Sequence, residues 1–449
     1  MTALLPTLLE EFQEKISTFN NRVIREIKLS NVLEKIVVAI GMRRTGKTYF
    51  MLQIIINLVK NKKIPLSRIL YINFEDDRLY PLTQKKLSNL LDEFYTIYPD
   101  NHNQICYLFL DEIQNIPNWH TVIRRYFDSK RVKIYLTGSS AKLLSKEIHT
   151  SLRGRSITKE IWPFSFAEFL KAKQIAMPKS FGKITLDKIT YWLKIYIKQG
   201  GFPETIIFNK PEKSNVGFGH LHENFGNGNF EQSGIIDEER RKILQDYVAV
   251  VIFRDIVERY KITNISLIRY LIKFLIKNVG CLFSVNKLYN DLKTQGFSLS
   301  KTTIHDYLHY IEDAYLAFRV PLYSESLRKT QSNPQKIYVI DTGLANANNF
   351  SFSENIGHYF ENLIYLDLRR AQHNIYYYLT KTRKEIDFLT QDLKGKWHLF
   401  QVCWDMADDE TLEREVSALR EAEQELKIKG ICITPHSYFT LFLPVIYHS

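Results

Sequence analysis

The chain has no apolar run near the roughly 20 residues that a membrane-crossing helix requires. Its most apolar stretches, such as Ile36 to Ile40, meet charges within a few positions, which excludes a helical membrane protein. The first fourteen residues lack a basic start ahead of their apolar positions, and Glu10 and Glu11 follow. No secretory leader is expected there. Cysteines are few: Cys106, Cys281, Cys403 and Cys432 stand far apart, without the paired spacing of a zinc site. That scatter suits a reducing compartment and small buried side chains better than disulfides or zinc. The expected location is therefore cytoplasmic, with no membrane partner. No internal repeat is visible.

With 449 residues the chain is too long for one compact core, and two to four domains are expected. Hydrophobic residues at 45% and aromatics at 13% are enough to order those cores. Lys and Arg (61) exceed Asp and Glu (49), giving a net charge of +12. An anionic partner, nucleic acid above all, is compatible with that balance.

The first third alternates short apolar runs with polar, helix-compatible stretches. Strands are expected at Ile36 to Ile40, Ile69 to Phe74, Tyr107 to Leu110, Lys133 to Leu136 and Ile157 to Ile161. Such alternation predicts an α/β fold with a parallel sheet covered on both faces. From about Ser165 to Tyr260 the pattern turns helical, broken at Gly200 to Glu204. Pro211 to Gly234 is rich in Gly, Asn, Ser and His and reads as a flexible loop. Lys261 to about Leu322 is again helical. Strands return at Ile337 to Ile340, Ile375 to Leu379, Ile386 to Thr390, His398 to Val402 and Gly430 to Thr434, with a charged helix at Asp409 to Leu426. The expected units are 1–164, 165–260, 261–330 and 331–449.

Gly41-Met42-Arg43-Arg44-Thr45-Gly46-Lys47-Thr48 has P-loop spacing and lies between a buried strand and a helix. Glycine allows the loop amides to turn inward around phosphate oxygens. The following helix points its positive end at the anion. Gly41, Arg44, Thr45, Gly46, Lys47 and Thr48 are the candidate nucleotide contacts. Lys47 is placed to reach the β- and γ-phosphates and Thr48 to ligate Mg²⁺. A second carboxylate is needed on a neighbouring strand, and Tyr107 to Leu110 ends in Asp111-Glu112. That strand end is where ligands bind in open α/β sheets. Asp111 is the candidate for holding Mg²⁺ through water. Glu112, with Lys47, is the catalytic candidate, as the group that orients or deprotonates the attacking water. The next strand ends in Thr137-Gly138-Ser139-Ser140, and one of these hydroxyls could meet the γ-phosphate. Arg153 or Arg155 could sense that phosphate, reach into a neighbouring subunit of a homo-oligomer, or form a solvated turn. No Asn-Lys-x-Asp guanine-reading run occurs, which favours ATP over GTP.

These segments, with Trp162 to Phe166 after Gly154-Arg155, resemble the AAA-type P-loop ATPases of the additional-strand catalytic-glutamate class found in archaea and bacteria, which carry an uncharacterised C-terminal region. The likeness continues through Gly200 to Glu204, Phe253 to Val257 and Val339 to Leu344. It implies ATP hydrolysis, a five-stranded core in the order 5-1-4-3-2 and a helical lid after it.

Ser284 and Ser300 could each cap a short amphipathic helix, carrying Val285, Leu288, Tyr289 and Leu292, then Ile304, Tyr307, Leu308 and Ile311, with a turn at Gly296 between them. That pair suggests a winged-helix-like module. Lys301, Thr302, His305 and His309 fall off the apolar stripe and are candidate contacts to duplex DNA. Lys261 to Lys336 holds 11 basic and 5 acidic residues, though Asp306, Glu312 and Asp313 interrupt the basic face. A module that only packs is the other reading. The C-terminal order of elements resembles the PD-(D/E)XK nuclease fold, with Glu361 and Asp387 as its acids. Gln401 and Cys403 stand where an active member needs an acid and a lysine, so a degenerate domain kept for binding or assembly is expected, and nuclease activity is not. Two accounts stay open: an ATPase that moves C-terminal modules in contact with DNA or a protein partner, or a nucleotide-switched DNA-binding or regulatory protein with slow or no hydrolysis.

Overall fold

The structure, a computed structural model, is described for residues 4–19, 23–27, 35–138, 152, 154–176, 182–207, 230–326, 333–349, 356–404 and 409–441. It divides into two compact units, Met1–Trp162 and Pro163–Ser449.

The first unit is built on five parallel strands: β1 (Ile36–Ile40), β2 (Ile69–Asn73), β3 (Cys106–Asp111), β4 (Val132–Gly138) and β5 (Ser156–Glu160), in the order β2-β3-β4-β1-β5. This is the expected 5-1-4-3-2 order read from the other edge. Every residue of β3 is buried, which is why its sequence is a continuous apolar run and not an alternating one. The covering helices are α1 (Leu4–Thr18), α2 (Lys47–Lys60), α3 (Gln84–Ile97) and α4 (Trp119–Ser129). Thr83 caps α3 by accepting a hydrogen bond from the Lys86 amide. Helix α1 was not foreseen. It buries Leu5, Leu9, Phe12 and Ile16, and Phe12 stacks on Tyr71 of β2 with ring centroids 5.4 Å apart. One core cluster joins Phe12 and Ile16 to Phe50, Met51 and Ile55 of α2 and to Ala39, Tyr71 and Phe109 of the sheet. Full burial of each such side chain contributes about 1.5–3 kcal/mol.

The second unit opens with α5 (Phe166–Ala172), α6 (Lys183–Gln199), α7 (Pro203–Ile207) and α8 (Phe230–Val250). Helix α8 runs on through a π-helical segment, Val251–Val257, into α9 (Glu258–Tyr260). Ser165 and Glu168 form a reciprocal capping box on α5. The predicted loop over 211–234 is too long at its far end, because α8 begins at Phe230. A single glycine inside a helix costs only about 1 kcal/mol, so Gly234 does not stop it. Residues 211–229 lie outside the described residues.

Next come α10 (Ile265–Lys277), β6 (Leu282–Phe283), α11 (Val285–Thr294), α12 (Lys301–Asp313), β7 (Ala317–Val320) and β8 (Gln335–Val339). Strands β6, β8 and β7 form an antiparallel sheet in that order. β7 falls inside a stretch that reads as helical from sequence; four residues give no periodicity, and only pairing with β8 makes them a strand. Ser284 and Ser300 cap α11 and α12 by accepting from the Lys287 and Thr303 amides. Gly296, at φ 85°, takes the left-handed turn between them.

The chain ends with α13 (Thr342–Ala347), α14 (Ile356–Arg370), β9 (Asn374–Leu379), β10 (Glu385–Gln391), β11 (Trp397–Val402), α15 (Asp409–Leu426), β12 (Gly430–Ile433) and α16 (Pro435–Leu441). The four strands are ordered β12-β11-β10-β9, antiparallel except for β11 with β12. Two of the quoted motifs interlock here. The buried Asp341 carboxylate accepts from the Gly201 amide at 2.6 Å and caps α13 through the Leu344 amide at 2.8 Å. A Cβ on Gly200 would lie 2.0 Å from Asp341 Oδ1, and one on Gly343 would lie 2.2 Å from the Gln199 carbonyl. Those glycines are required for close approach, not for chemistry.

Candidate functional site

The Gly41–Thr48 loop leaves β1 and enters α2 at the C-terminal edge of the parallel sheet. Three of its residues have positive φ: Gly41 at 151°, Arg44 at 68° and Gly46 at 95°. A Cβ on Gly41 would lie 2.3 Å from the Ile161 carbonyl oxygen, so only glycine fits there. Thr45 is fully buried and donates to the Met42 carbonyl at 2.9 Å, closing the loop on itself. Lys47 Nζ donates to the Gly41 and Met42 carbonyls, each at 3.1 Å, and stands 3.8 Å from Glu112 Oε1.

The two carboxylates predicted at the end of β3 meet this loop. Thr48 Oγ1 donates to Asp111 Oδ2 at 2.7 Å, and Tyr71 Oη donates to the same oxygen at 3.0 Å. Thr137 Oγ1, fully buried on β4, donates to Asp111 Oδ1 and accepts from the Glu112 amide, the latter at 2.9 Å. Glu112 sits in a left-handed turn, φ 54° and ψ 44°. That turn aims its carboxylate toward Lys47, and Gln114 Nε2 donates to Glu112 Oε2 at 2.5 Å. Burial pushes the Glu112 carboxyl above its ordinary value, against the pull of the Lys47 ammonium. Burial and the neighbouring Asp111 carboxylate raise the Tyr71 phenol far above its ordinary value, so it stays a donor.

Of the sequence-predicted residues, Gly41, Thr45, Gly46, Lys47, Thr48, Asp111, Glu112 and Thr137 are brought together. Thr137 takes a different part from the one expected: its hydroxyl is engaged behind both carboxylates. Arg44 is exposed on the loop, and Arg43 pairs with Glu75 at 2.9 Å. Arg155 is not brought to this site. It directly precedes β5, whose Ser156 pairs with Ile36, and it pairs with Asp128 at 2.8 Å. That is the opposite end of the sheet, about 16 Å away at the usual rise per strand residue. Ser139, Ser140 and Arg153 lie outside the described residues. Sequence reasoning missed Arg25, whose buried guanidinium donates to the Thr45 carbonyl at 2.8 Å and to the Trp162 carbonyl at 2.6 Å. No spacing rule links those three positions.

The donor set fits a nucleotide polyphosphate with Mg²⁺. The glycine-shaped loop, the helix start and Lys47 supply cationic and amide donors for phosphate. Thr48 and Asp111 offer two hard oxygens 2.7 Å apart, which suits Mg²⁺ with its remaining positions taken by phosphate and water.

In the second unit, Lys301, Thr302, His305 and His309 are exposed along α12, while Ile304, Tyr307, Leu308 and Ile311 are buried. Lys301 Nζ lies 5.4 Å from the centre of the Tyr289 ring. Glu361 of α14 and Asp387 of β10 also come together, but around a residue not foreseen. Lys336 of β8 is 1% exposed and places its ammonium on both. Lys336, well above its ordinary value because Asp387, Glu361 and Glu385 outweigh its burial, stays charged. Burial opposes the charge of Glu361, yet the Lys336 ammonium, the His358 ring 3.9 Å away and the Tyr338 hydrogen bond bring it down to about 2. Asp387 moves the other way: burial, with Glu361 adding to it, pushes it up to about 7 despite Lys336.

The comparisons agree with the geometry of the first unit. An AAA-domain family model matches residues 33–170. Models of two domains of unknown function, DUF8612 and DUF4143, match 234–355 and 356–438. An uncharacterised protein of Methanocaldococcus jannaschii is 36% identical over 412 residues, 91% of this chain and 83% of that protein. The chain belongs to the AAA-type P-loop ATPase family. A further uncharacterised relative, from Haemophilus influenzae, is 28% identical over 78% of each chain. Among solved structures, a Walker-type ATPase of Pyrococcus abyssi aligns with a TM-score of 0.42 and 13% identity over 76% of this chain and 94% of that one. The Aeropyrum pernix ORC1 protein in complex with DNA aligns with a TM-score of 0.30 and 12% identity over 78% of this chain and 92% of that one. At such scores these two carry no argument about function. Among the described residues, no helix is long and apolar enough to cross a membrane.

Proposed function

We propose that this AAA-family protein binds ATP with Mg²⁺ at Gly41–Thr48 and hydrolyses it. The observation that carries the reading is the continuous polar chain Thr48–Asp111–Thr137–Glu112, with Lys47 3.8 Å from the last carboxylate. Lys47 leaves the loop carbonyls to bind the β- and γ-phosphates. Thr48 and Asp111 would hold Mg²⁺, which would neutralise charge on the phosphate oxygens. Glu112 accepts a proton from the attacking water, or orients it, from a turn that Thr137 and Gln114 brace. Arg155, at the far end of the sheet, can serve only a neighbouring subunit's site. Hydrolysis is coupled to movement of the segments after Pro163, which contact DNA or a protein partner. Glu112→Gln tests the chemistry: it should bind ATP within about threefold of wild type and release phosphate roughly 10²–10⁴ times more slowly. Unchanged turnover would remove Glu112 from the role.

The exposed row Lys301, Thr302 and His305 favours a second reading, in which nucleotide state chiefly switches DNA binding and hydrolysis is slow. Duplex affinity should then fall steeply with salt, and Lys301→Glu should lower it several-fold and flatten the salt slope by about one or two counterions. Absence of duplex binding at low salt, with and without ATP, rejects this second reading.

A further inference from the structure

The nuclease-like arrangement of α14 and β10 implies a divalent ion between Glu361 and Asp387. The residues present do not fit one. Lys336 Nζ lies 2.8 Å from Glu361 Oε1, 2.7 Å from Asp387 Oδ1 and 2.7 Å from Glu385 Oε1. The ammonium hydrogen-bonds Glu361 and Asp387 and forms an ion pair with Glu385, so three carboxylate oxygens surround its single charge. Two oxygens of the pocket have protein donors besides the ammonium. Tyr338 Oη donates to Glu361 Oε1 at 2.6 Å, and the Val402 amide donates to Asp387 Oδ2 at 2.9 Å. His358 Nδ1 stands 3.9 Å from Glu361 Oε2. Gln401, in the place of a second acid, turns its oxygen to the Asp387 amide at 3.2 Å and so brings no charge to the pocket.

The lysine is held from behind as well. Lys336 pairs with Leu282 of β6 and Val320 of β7 within the small sheet, so its Cα is fixed on both sides. A divalent ion at the same centre would need oxygens at about 2.0–2.6 Å and the ammonium gone. Among the described residues no group of three His, Cys, Asp or Glu side chains is disposed to hold a metal ion.

We infer that the pocket formed by Glu361, Glu385 and Asp387 is a cation site filled by the chain's own Lys336 ammonium, so that the C-terminal domain takes no divalent ion. The missing lysine of the nuclease pattern is thereby replaced from another strand, in a position that neutralises the acids instead of assisting a bound metal.

The test is Mn²⁺ uptake by the nucleotide-free full-length chain, followed by the signal of free Mn²⁺, with thermal midpoints in EDTA and in Mn²⁺. The P-loop is unaltered in every variant and contributes equally. Wild type and Asp387→Asn should take up the same number of ions. Lys336→Met should bind one ion more per chain than wild type. Its midpoint should fall in EDTA and recover in Mn²⁺. The inference is overturned if wild type binds an ion that Asp387→Asn loses, or if Lys336→Met folds in EDTA and gains no ion. Should Lys336→Met fold in neither buffer, the comparison of wild type with Asp387→Asn decides alone.

Discussion

Thr137→Val replaces one buried group by another of nearly the same shape and removes only the hydroxyl. That hydroxyl donates to Asp111 Oδ1 and accepts from the Glu112 amide. Thr137 is fully buried and Glu112 nearly so, so water cannot substitute at the amide. A buried donor left without a partner costs about 1–3 kcal/mol, and losing a bond to a charged group costs a similar amount. Asp111 keeps its bonds from Thr48 and Tyr71 through Oδ2, which limits the second term. The sum is on the order of 2–4 kcal/mol. For a unit of this size each kcal/mol moves the melting point by about 2–4 °C, so calorimetry should show the P-loop unit melting roughly 4–16 °C earlier. The functional effect follows from Glu112 standing at φ 54°, a backbone state that its own side chain does not favour. Without the Thr137 acceptor the turn relaxes and the carboxylate loses its aim. Phosphate release should fall about 10–100-fold while ATP affinity, set by the loop, stays within about threefold. Thr137→Ser keeps the hydroxyl and should retain turnover within a few-fold. Wild-type stability and turnover in Thr137→Val would refute the bracing argument.

Gly41→Ala should abolish nucleotide binding in titration calorimetry, because its Cβ would press 2.3 Å from a backbone oxygen that cannot yield cheaply; ordinary ATP affinity would show that the loop shifts freely. Turnover against pH should lose activity on the acid side at a midpoint above the ordinary glutamate value of 4.5, since the working form of Glu112 is ionised and burial raises its pKa. The same shift has a sign for stability. A carboxyl raised on folding favours the fold fully below its unfolded pKa and loses that contribution as pH rises through the folded value. The permanently neutral Glu112→Gln should therefore melt higher than wild type at neutral and alkaline pH, with the gain vanishing toward pH 4. A gain that persists unchanged at low pH would show that Glu112 ionisation is not its source.

The features legible in the sequence are those whose partners are close along the chain. The P-loop is eight consecutive residues, and Asp111-Glu112 ends an apolar run whose burial follows from its composition alone. The caps at Ser284 and Ser300 likewise depend on an amide three residues on. What stayed hidden depends on direction or on distance along the chain. Thr137 was found at the right strand end, but its hydroxyl direction depends on the register of β4 against β3, which no local pattern gives. Arg155 is one of two arginines that the sequence offers as phosphate sensor, as a reach into a neighbouring subunit or as a solvated turn; its place before β5, parallel to β1, puts it at the opposite end of the strands from the loop.

Lys336 is the clearest case of why a motif search fails in physical terms. The missing cation of the C-terminal domain was sought two residues beyond the second acid, where Cys403 stands. It comes instead from 25 residues before Glu361 and 51 before Asp387, on a strand of a different sheet. Electrostatics requires that buried acids meet a cation; it does not specify the strand that brings it. A chain that loses one lysine can therefore satisfy the same carboxylates from any element whose Cα passes within a lysine's length. Charge balance in a buried cluster constrains composition more tightly than it constrains sequence position. The absent motif lysine consequently argues against metal chemistry at Glu361 and Asp387 without arguing that those acids are unpaired.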